Sequence, residues 1–484
     1  MTVWNFMIKL LQSGLGNLAA YLAAHVLLCL LPAFFIAGAM TALIPKEIVT
    51  RFLGRNRPKY ISYPAAVLSA SLLAVCSCTI VPLFAGIHKK GAGIGPAMTF
   101  LFFAPAANIL ALIYTGGVIG PDLAFARFFL SMIFGVSIGL IMALIFWKDD
   151  IAHDEAADTL FSEKGSMNKY ALALLGSMVA LLLFGTLKIA LLTDTVLKIT
   201  LPISGMDKFQ EWLYMLIPFD ASKGEEGVSA QGVLLIILLI MIGLTAWKGL
   251  ENILNGFSRW TYASLALIGL TLLIASTGME PHAEGIDILM KGKSFGVILA
   301  LLVILWLIRT KLNDEEKGGF LWESWKFVKQ IFPLLVVGVF LVGIIRELIK
   351  PEWIEAVAGE NSLSGNLAGV VFGIFMYFPT LVEVPIAKMF LSLGMHRGPL
   401  LAYLMADPEL SLQSILITIS IIGRKKTFTY VAIVAVFSTV SGLIYGMWID
   451  GSSIMLIAMG LVLLVAALSA GYWMVNRKRT GNSH

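Results

Sequence analysis

The chain has 484 residues, of which 58% are hydrophobic and 13% charged, and a formal net charge of +5. Soluble domains carry about 25% charged residues, so this composition excludes a soluble enzyme, a disordered chain and a disulfide-stapled secreted domain. The positive excess lies in short runs between apolar segments, where membrane topology puts it, and forms no basic face for nucleic acid.

A bilayer span takes about 20 apolar residues. In chain order, thirteen segments qualify or nearly so, near 17–43, 62–87, 93–118, 122–147, 169–193, 231–247, 260–277, 293–308, 329–349, 366–394, 398–422, 427–448 and 453–474. The stretch before them, Met1 to Gln12, has one lysine and no small-residue cleavage site and is expected to be retained. The acidic stretch 149–168 reads as a solvated linker, and 194–230 as a loop with a short amphipathic piece, Phe209 to Leu216.

Were every segment to cross, basic loops would fall on both sides: Arg51, Arg55, Arg57 and Lys59 precede the second segment, and Lys89 and Lys90 follow it. Making 62–87 and 366–394 re-entrant gathers these with Lys248, Arg259, Arg309, Lys311, Arg424 to Lys426 and Arg477 to Arg479 on one side, with His396 and Arg397 as exceptions. The predicted fold is an all-α polytopic membrane protein: about eleven transmembrane helices plus two re-entrant broken-helix hairpins. The N-terminus is expected outside and the basic tail in the cytoplasm, in the inner (plasma) membrane of the cell.

The two hairpins repeat each other. Pro82, Gly91, Gly95, Pro96 and Pro105 recur 303 positions later as Pro385, Gly394, Gly398, Pro399 and Pro408. Phe35-Ile-Ala-Gly38 returns as Phe340-Leu-Val-Gly343 at an offset of 305. The implied organisation is a first repeat over 15–150, central membrane segments and loops over 151–328, a second repeat over 329–450, and a last helix with a basic tail over 451–484. The topology places an odd number of crossings between the repeats, so they are inverted, the plan of secondary transporters whose substrate sits where broken helices meet.

Proline lacks an N–H and clashes with the carbonyl four residues back. Pro82, Pro105, Pro385 and Pro408 are therefore expected to free the carbonyls of Cys78, Leu101, Leu381 and Leu404, which in lipid need protein, water or a ligand as partner. Beside Pro82 stands Cys76-Ser77-Cys78-Thr79. On a regular helix residues two apart diverge by about 200°, but in a broken stretch both thiols face one cavity, and thiolates favour soft ions. Small buried cysteines that merely pack are the plain alternative. His25 and Cys29, four apart, share a helix face and complete a candidate metal set with Cys76 and Cys78. In the second repeat the sulfur chemistry gives way to carboxylates: Glu383, and Asp407-Pro408-Glu409. Intramembrane acids are costly and point to function, here a coupling proton, a cation or the substrate; a structural pair with an arginine is the alternative. Asn108, three residues after Pro105, would supply a neutral donor and acceptor.

Cys76-Ser-Cys-Thr-Ile-Val-Pro82, His88-Lys-Lys-Gly-Ala-Gly-Ile-Gly95 and Phe100-Leu-Phe-Phe-Ala-Pro105-Ala-Ala-Asn108 together resemble the signature of the ArsP-type permease family. Glu383-Val-Pro385, Gly394-Met-His-Arg-Gly398, Ala406-Asp-Pro-Glu-Leu410 and Gly423-Arg-Lys-Lys426 look like its C-terminal half. The resemblance implies a permease, not an enzyme, associated with efflux of trivalent organoarsenicals (arsenic resistance) or of copper and zinc, with Cys76 and Cys78 as the thiophilic contact. The central segment departs from shorter family members. Implied partners are a small thiophilic solute or metal ion, the bilayer, protons through Glu383 or Asp407, and further copies of the chain in a homo-oligomer; no cofactor is implied. No Walker motif supports direct ATP use. A membrane thiol–disulfide relay through Cys76 and Cys78 is the competing reading, since a strained disulfide between such close residues would be easily reduced.

Overall fold

The computed structural model describes residues 3–24, 26–44, 46–71, 77–107, 109–160, 169–187, 189–203, 205–217, 227–348, 352–375 and 383–451. It is all-α in class. Among the described residues eight helices are long and apolar enough to cross a bilayer. The pair Arg397–Leu410 and Leu412–Ile422, bent by 44°, would make a ninth. Of the eleven crossings expected from sequence, 453–474 lies outside the described residues, and 17–43 contains His25, which does too.

The chain divides into two compact units. The first comprises Met1–Pro45, Cys78–Ile87 and Lys164–Glu347. Its helices include Val26–Leu43, Lys169–Thr186, Ala230–Gly249, Arg259–Ser276, Gly292–Lys311 and the 35-residue Asp314–Leu348. Local chemistry sets where they begin. Ser258 and Thr261 form a reciprocal capping box at the start of Arg259–Ser276, and Ser229 accepts from the Gly232 N–H. Inward faces meet in a core of Leu28, Leu181, Ile242, Ile268, Leu272, Val297 and Ala300. Serine and threonine take part in this packing through close backbone approach: a Cβ on Gly38 would strike Ser324.

The loop reading of 194–230 needs correction within this unit. Thr195–Leu201 is a strand, which pairs antiparallel with Gly285–Lys291, itself the second arm of a hairpin with Gly278–His282. Thr195-Val-Leu-Lys-Ile-Thr-Leu201 is rich in β-branched residues. Its partner strand lies some ninety residues on, which is why the segment alone read as loop. Lys198 and Thr200 both bond Asp287 across the strands, each at 2.6 Å. The amphipathic piece is a helix, Met206–Leu216.

The second unit comprises Lys46–Ser77, His88–Glu163 and Leu348–His484. Here two runs of four helices have similar lengths in the same order. Lys59–Ser71, Ile94–Ala106, Ile109–Val118 and Pro121–Ile145 have 13, 13, 10 and 25 residues. Leu363–Phe375, Arg397–Leu410, Leu412–Ile422 and Arg424–Ile449 follow in the same order with 13, 14, 11 and 26. Gly91 and Gly394 both turn with left-handed φ, +87° and +89°, a conformation suited to glycine. Gly93 N–H donates to Leu53 O and His396 N–H to Ala358 O, both at 2.9 Å. A Cβ on Gly139 would strike Gly95 O and Thr99; one on Gly442 would strike Gly398 O and Asn366. Small residues thus let each long helix approach a buried one, Ile94–Ala106 or Arg397–Leu410 from Gly398 onward.

The stretch read as a solvated linker starts as a helix, Trp147–Leu160, that is tied to this unit. Asp150 is buried and accepts the Ile94 N–H at 2.8 Å, a carboxylate at a helix N-terminus.

The prolines break helices less directly than expected. Pro82 lies inside the helix Ser77–Lys89. Pro385 is in the first turn of Glu383–Ser392, and Leu381, whose carbonyl it was expected to free, lies outside the described residues. Pro105 and Pro408 lie in the last turns of their helices, and the breaks follow them. Within 62–87 and 366–394, residues 72–76 and 376–382 lie outside the described residues, and with them the breaks expected there.

Candidate functional site

In the second unit, polar groups collect where buried helices end. Ile94–Ala106 stops at Ala106, leaving last-turn carbonyls without helical donors. Arg127, from Pro121–Ile145, fills one of these vacancies. Its Nε donates to Ala106 O at 2.6 Å, and Nη1 donates to Thr115 Oγ1 at 3.3 Å. Its Nη2 donates to Glu383 Oε1 at 2.6 Å, with both side chains fully buried. Each charge suits its helix end. The guanidinium meets the C-terminus of one helix, and Glu383 begins another, Glu383–Ser392. An ion pair wholly out of water is stable only when charge and hydrogen bonds are both matched. Glu383 Oε2 has no hydrogen-bond partner among the described residues.

The matching end of Arg397–Leu410 is built otherwise. Glu409 sits in its last turn and is 5% exposed. Its Oε2 accepts the Tyr430 O–H at 2.8 Å, while Oε1 has no partner among the described residues. Asp407 and Pro408 are buried beside it. Gln413, in the first turn of Leu412–Ile422, is fully buried with neither amide atom bonded among the described residues. Tyr430 stands 303 positions after Arg127, and Glu409 the same distance after Ala106.

A third group lies at the start of Arg397–Leu410. Arg397 Nη1 donates to Asp122 Oδ2 at 2.5 Å, and Tyr445 O–H donates to the same oxygen at 2.8 Å. His396 pairs with Asp450 at 3.0 Å. The two exceptions to the charge pattern, His396 and Arg397, thus have acidic partners.

Of the residues singled out from sequence, Glu383 is joined to Arg127 and Glu409 to Tyr430; Asp407, Pro408, Pro82 and Pro105 are buried. Pro385 is exposed. Thr79 is fully buried on Ser77–Lys89. Cys76, Asn108 and His25 lie outside the described residues, as do the side chains of Ser77, Cys78 and Cys29. No group of three or more His, Cys, Asp or Glu able to hold a metal ion, and no cysteine pair, occurs among the described residues. Arg127, Thr115, Gln413 and Tyr430 were missed. Arg127 had a signal: it is the only basic residue in the apolar stretch 121–147, and intramembrane bases deserve the same attention as acids.

Apolar helices long enough to span, with an ion pair and a further carboxyl buried at helix ends, are those of a multi-pass membrane protein. The chain belongs to the ArsP_1 family, described as "Predicted permease", whose model matches residues 13–447. It is similar to UPF0718 protein MJ0584 of Methanocaldococcus jannaschii, 33% identical over 92% of this chain and 98% of that one. It is also similar to UPF0718 protein YraQ of Escherichia coli, 30% identical over 32% of this chain and 47% of that one. No solved structure matches the chain.

Proposed function

We propose that the chain is a secondary transporter of the inner (plasma) membrane that exports a soft, thiol-reactive solute by alternating access. The solute class is a trivalent organoarsenical or a copper- or zinc-type metal species, taken up by Cys76 and Cys78. The observation that carries a transport role is the fully buried Arg127–Glu383 pair, formed where Ile94–Ala106 ends and in the first turn of Glu383–Ser392. Interrupted helices whose ends present charge inside the bilayer are the usual binding architecture of secondary transporters. The sulfur specificity rests on the Cys76-Ser-Cys78 sequence and on the preference of thiolates for soft ions.

The test is resistance and vesicle transport. Cells expressing the wild type should tolerate phenylarsine oxide better than cells expressing Cys76→Ser/Cys78→Ser at equal protein level. Everted vesicles should accumulate the arsenical only with intact cysteines. Equal tolerance and equal accumulation across arsenite, phenylarsine oxide, copper and zinc would remove the proposed solute class. A thiol relay instead predicts redox cycling of the cysteines with no solute movement.

A further inference from the structure

We infer that Glu409 is the proton-carrying carboxyl of this permease, and that Glu383 is a fixed ion that does not exchange its proton. The inference rests on the transporter reading above and names the coupling group within it. Both acids are buried, Glu383 fully and Glu409 to 5% exposure, but they differ in what sets their charge. Glu383 starts a helix and receives Arg127 at 2.6 Å. Its negative charge has a cation in contact and a favourable helix end. Glu409 lies in the last turn of its helix, where a negative charge faces the carbonyl end and is disfavoured. Its described partner is a neutral phenol, on one oxygen only.

Among the described residues, the helices packed most closely on Arg397–Leu410 bring no cation to Glu409. Ile94–Ala106, Leu363–Phe375 and Leu412–Ile422 contain no titratable side chain. Pro121–Ile145 contributes Asp122, paired with Arg397, and Arg127, taken by Glu383. Glu383–Ser392 contributes Lys388, which is exposed. Arg424–Ile449 contributes Tyr430 and Tyr445, exposed Arg424 and Lys425, and Lys426, which pairs with Asp149 at 3.3 Å. On Glu409's own helix, Asp407 adds a second acid.

An isolated carboxylate in this setting costs far more than a neutral acid with one unfilled hydrogen bond. A proton on Oε1 removes the charge and leaves Oε2 free to accept from Tyr430. When the transport cycle admits water to Glu409, the proton leaves as hydronium and the carboxylate is solvated. The offset of 303 sharpens the assignment, because the position that supplies a permanent cation in one half, Arg127, supplies only a phenol in the other, Tyr430.

Infrared difference spectroscopy of the purified full chain in lipid nanodiscs, stepped in pH, reads this without any transported solute. The wild type should show the C=O stretch of a buried neutral acid. That component should vanish in Glu409→Gln and persist in Glu383→Gln. Tyr430→Phe, which removes one hydrogen bond and leaves the Arg127 pair alone, should move the band to higher frequency. A band that survives Glu409→Gln and disappears in Asp407→Asn or Glu383→Gln overturns the assignment, as does absence of the band in wild type or its insensitivity to Tyr430→Phe. A sodium-dependent spectral change at Glu409 would replace the proton by a cation. Failure of arsenical transport with these infrared results intact would count against the solute, not against Glu409.

Discussion

The helices Ile94–Ala106 and Arg397–Leu410 are buried, the second from Gly398 onward, follow glycine turns of the same hand, and are each crossed by a long helix at a glycine. Their carbonyl ends nevertheless hold opposite chemistry. One is capped by a guanidinium that reaches on to Glu383, and the other carries Glu409 against Tyr430. The comparison separates two layers of information. Glycine and proline spacing builds a backbone frame twice, and a few side chains at matched positions make one copy ionic and the other neutral.

The most severe way to break that comparison is to remove Arg127. Arg127→Leu strands the Glu383 charge and should cost about 3–5 kcal/mol. Arg127→Leu/Glu383→Leu should recover most of it, because no unpaired charge remains. Tyr430→Phe at the matched position removes a single hydrogen bond and should cost only about 0.5–1.5 kcal/mol. Thermal unfolding of the three variants in one detergent measures all of this. If Tyr430→Phe proved as damaging as Arg127→Leu, Glu409 would be holding a charge and the contrast between the halves would be gone.

Sequence and structure divide in a physically sensible way. The apolar stretches 122–147, 231–247, 260–277 and 293–308 stand within three residues of helices Pro121–Ile145, Ala230–Gly249, Arg259–Ser276 and Gly292–Lys311, because a span's length is set by the bilayer and not by partners. Gly91 and Gly394 were legible as turn residues because a left-handed φ suits glycine. The charges were only half legible. Glu383 and Glu409 stood out as intramembrane acids, but what neutralises each comes from 256 and 21 residues away, a distance no local pattern encodes. The strand Thr195–Leu201 failed for the same reason, since its partner follows three intervening helices, Met206–Leu216, Ala230–Gly249 and Arg259–Ser276.

The frame itself can be probed at its glycines, with a smaller effect. Gly139→Ala and Gly442→Ala each push a methyl group into the neighbouring helix and should destabilise by about 1–3 kcal/mol, to similar extents. Gly117→Ala is the counterpart, for nothing lies within 4 Å of the added carbon and the site is helical. It should stabilise by about 0.5–1 kcal/mol through helix propensity. Unfolding temperatures that separated Gly139→Ala sharply from Gly442→Ala would show that the two crossings are not built alike.

The mildest effect belongs to Asp150, beyond the end of the span Pro121–Ile145. Burial pushes its carboxyl above the usual aspartate range, opposed by the Ile94 N–H and by Arg55. The folded protein therefore binds this proton more readily than the unfolded chain. The resulting stability is present below the unfolded value of about 3.9 and is lost as pH rises toward the folded one. Asp150→Asn keeps an oxygen for the Ile94 N–H and cannot ionise. The wild type should consequently lose unfolding temperature relative to Asp150→Asn as pH is raised from about 4 through the carboxylate range. A slope of the opposite sign would mean that Arg55, 3.8 Å from the carboxylate, outweighs burial. The helix Trp147–Leu160 would then be held to the start of Ile94–Ala106 by charge rather than by a neutral hydrogen bond, in the manner of Arg127 and not of Tyr430.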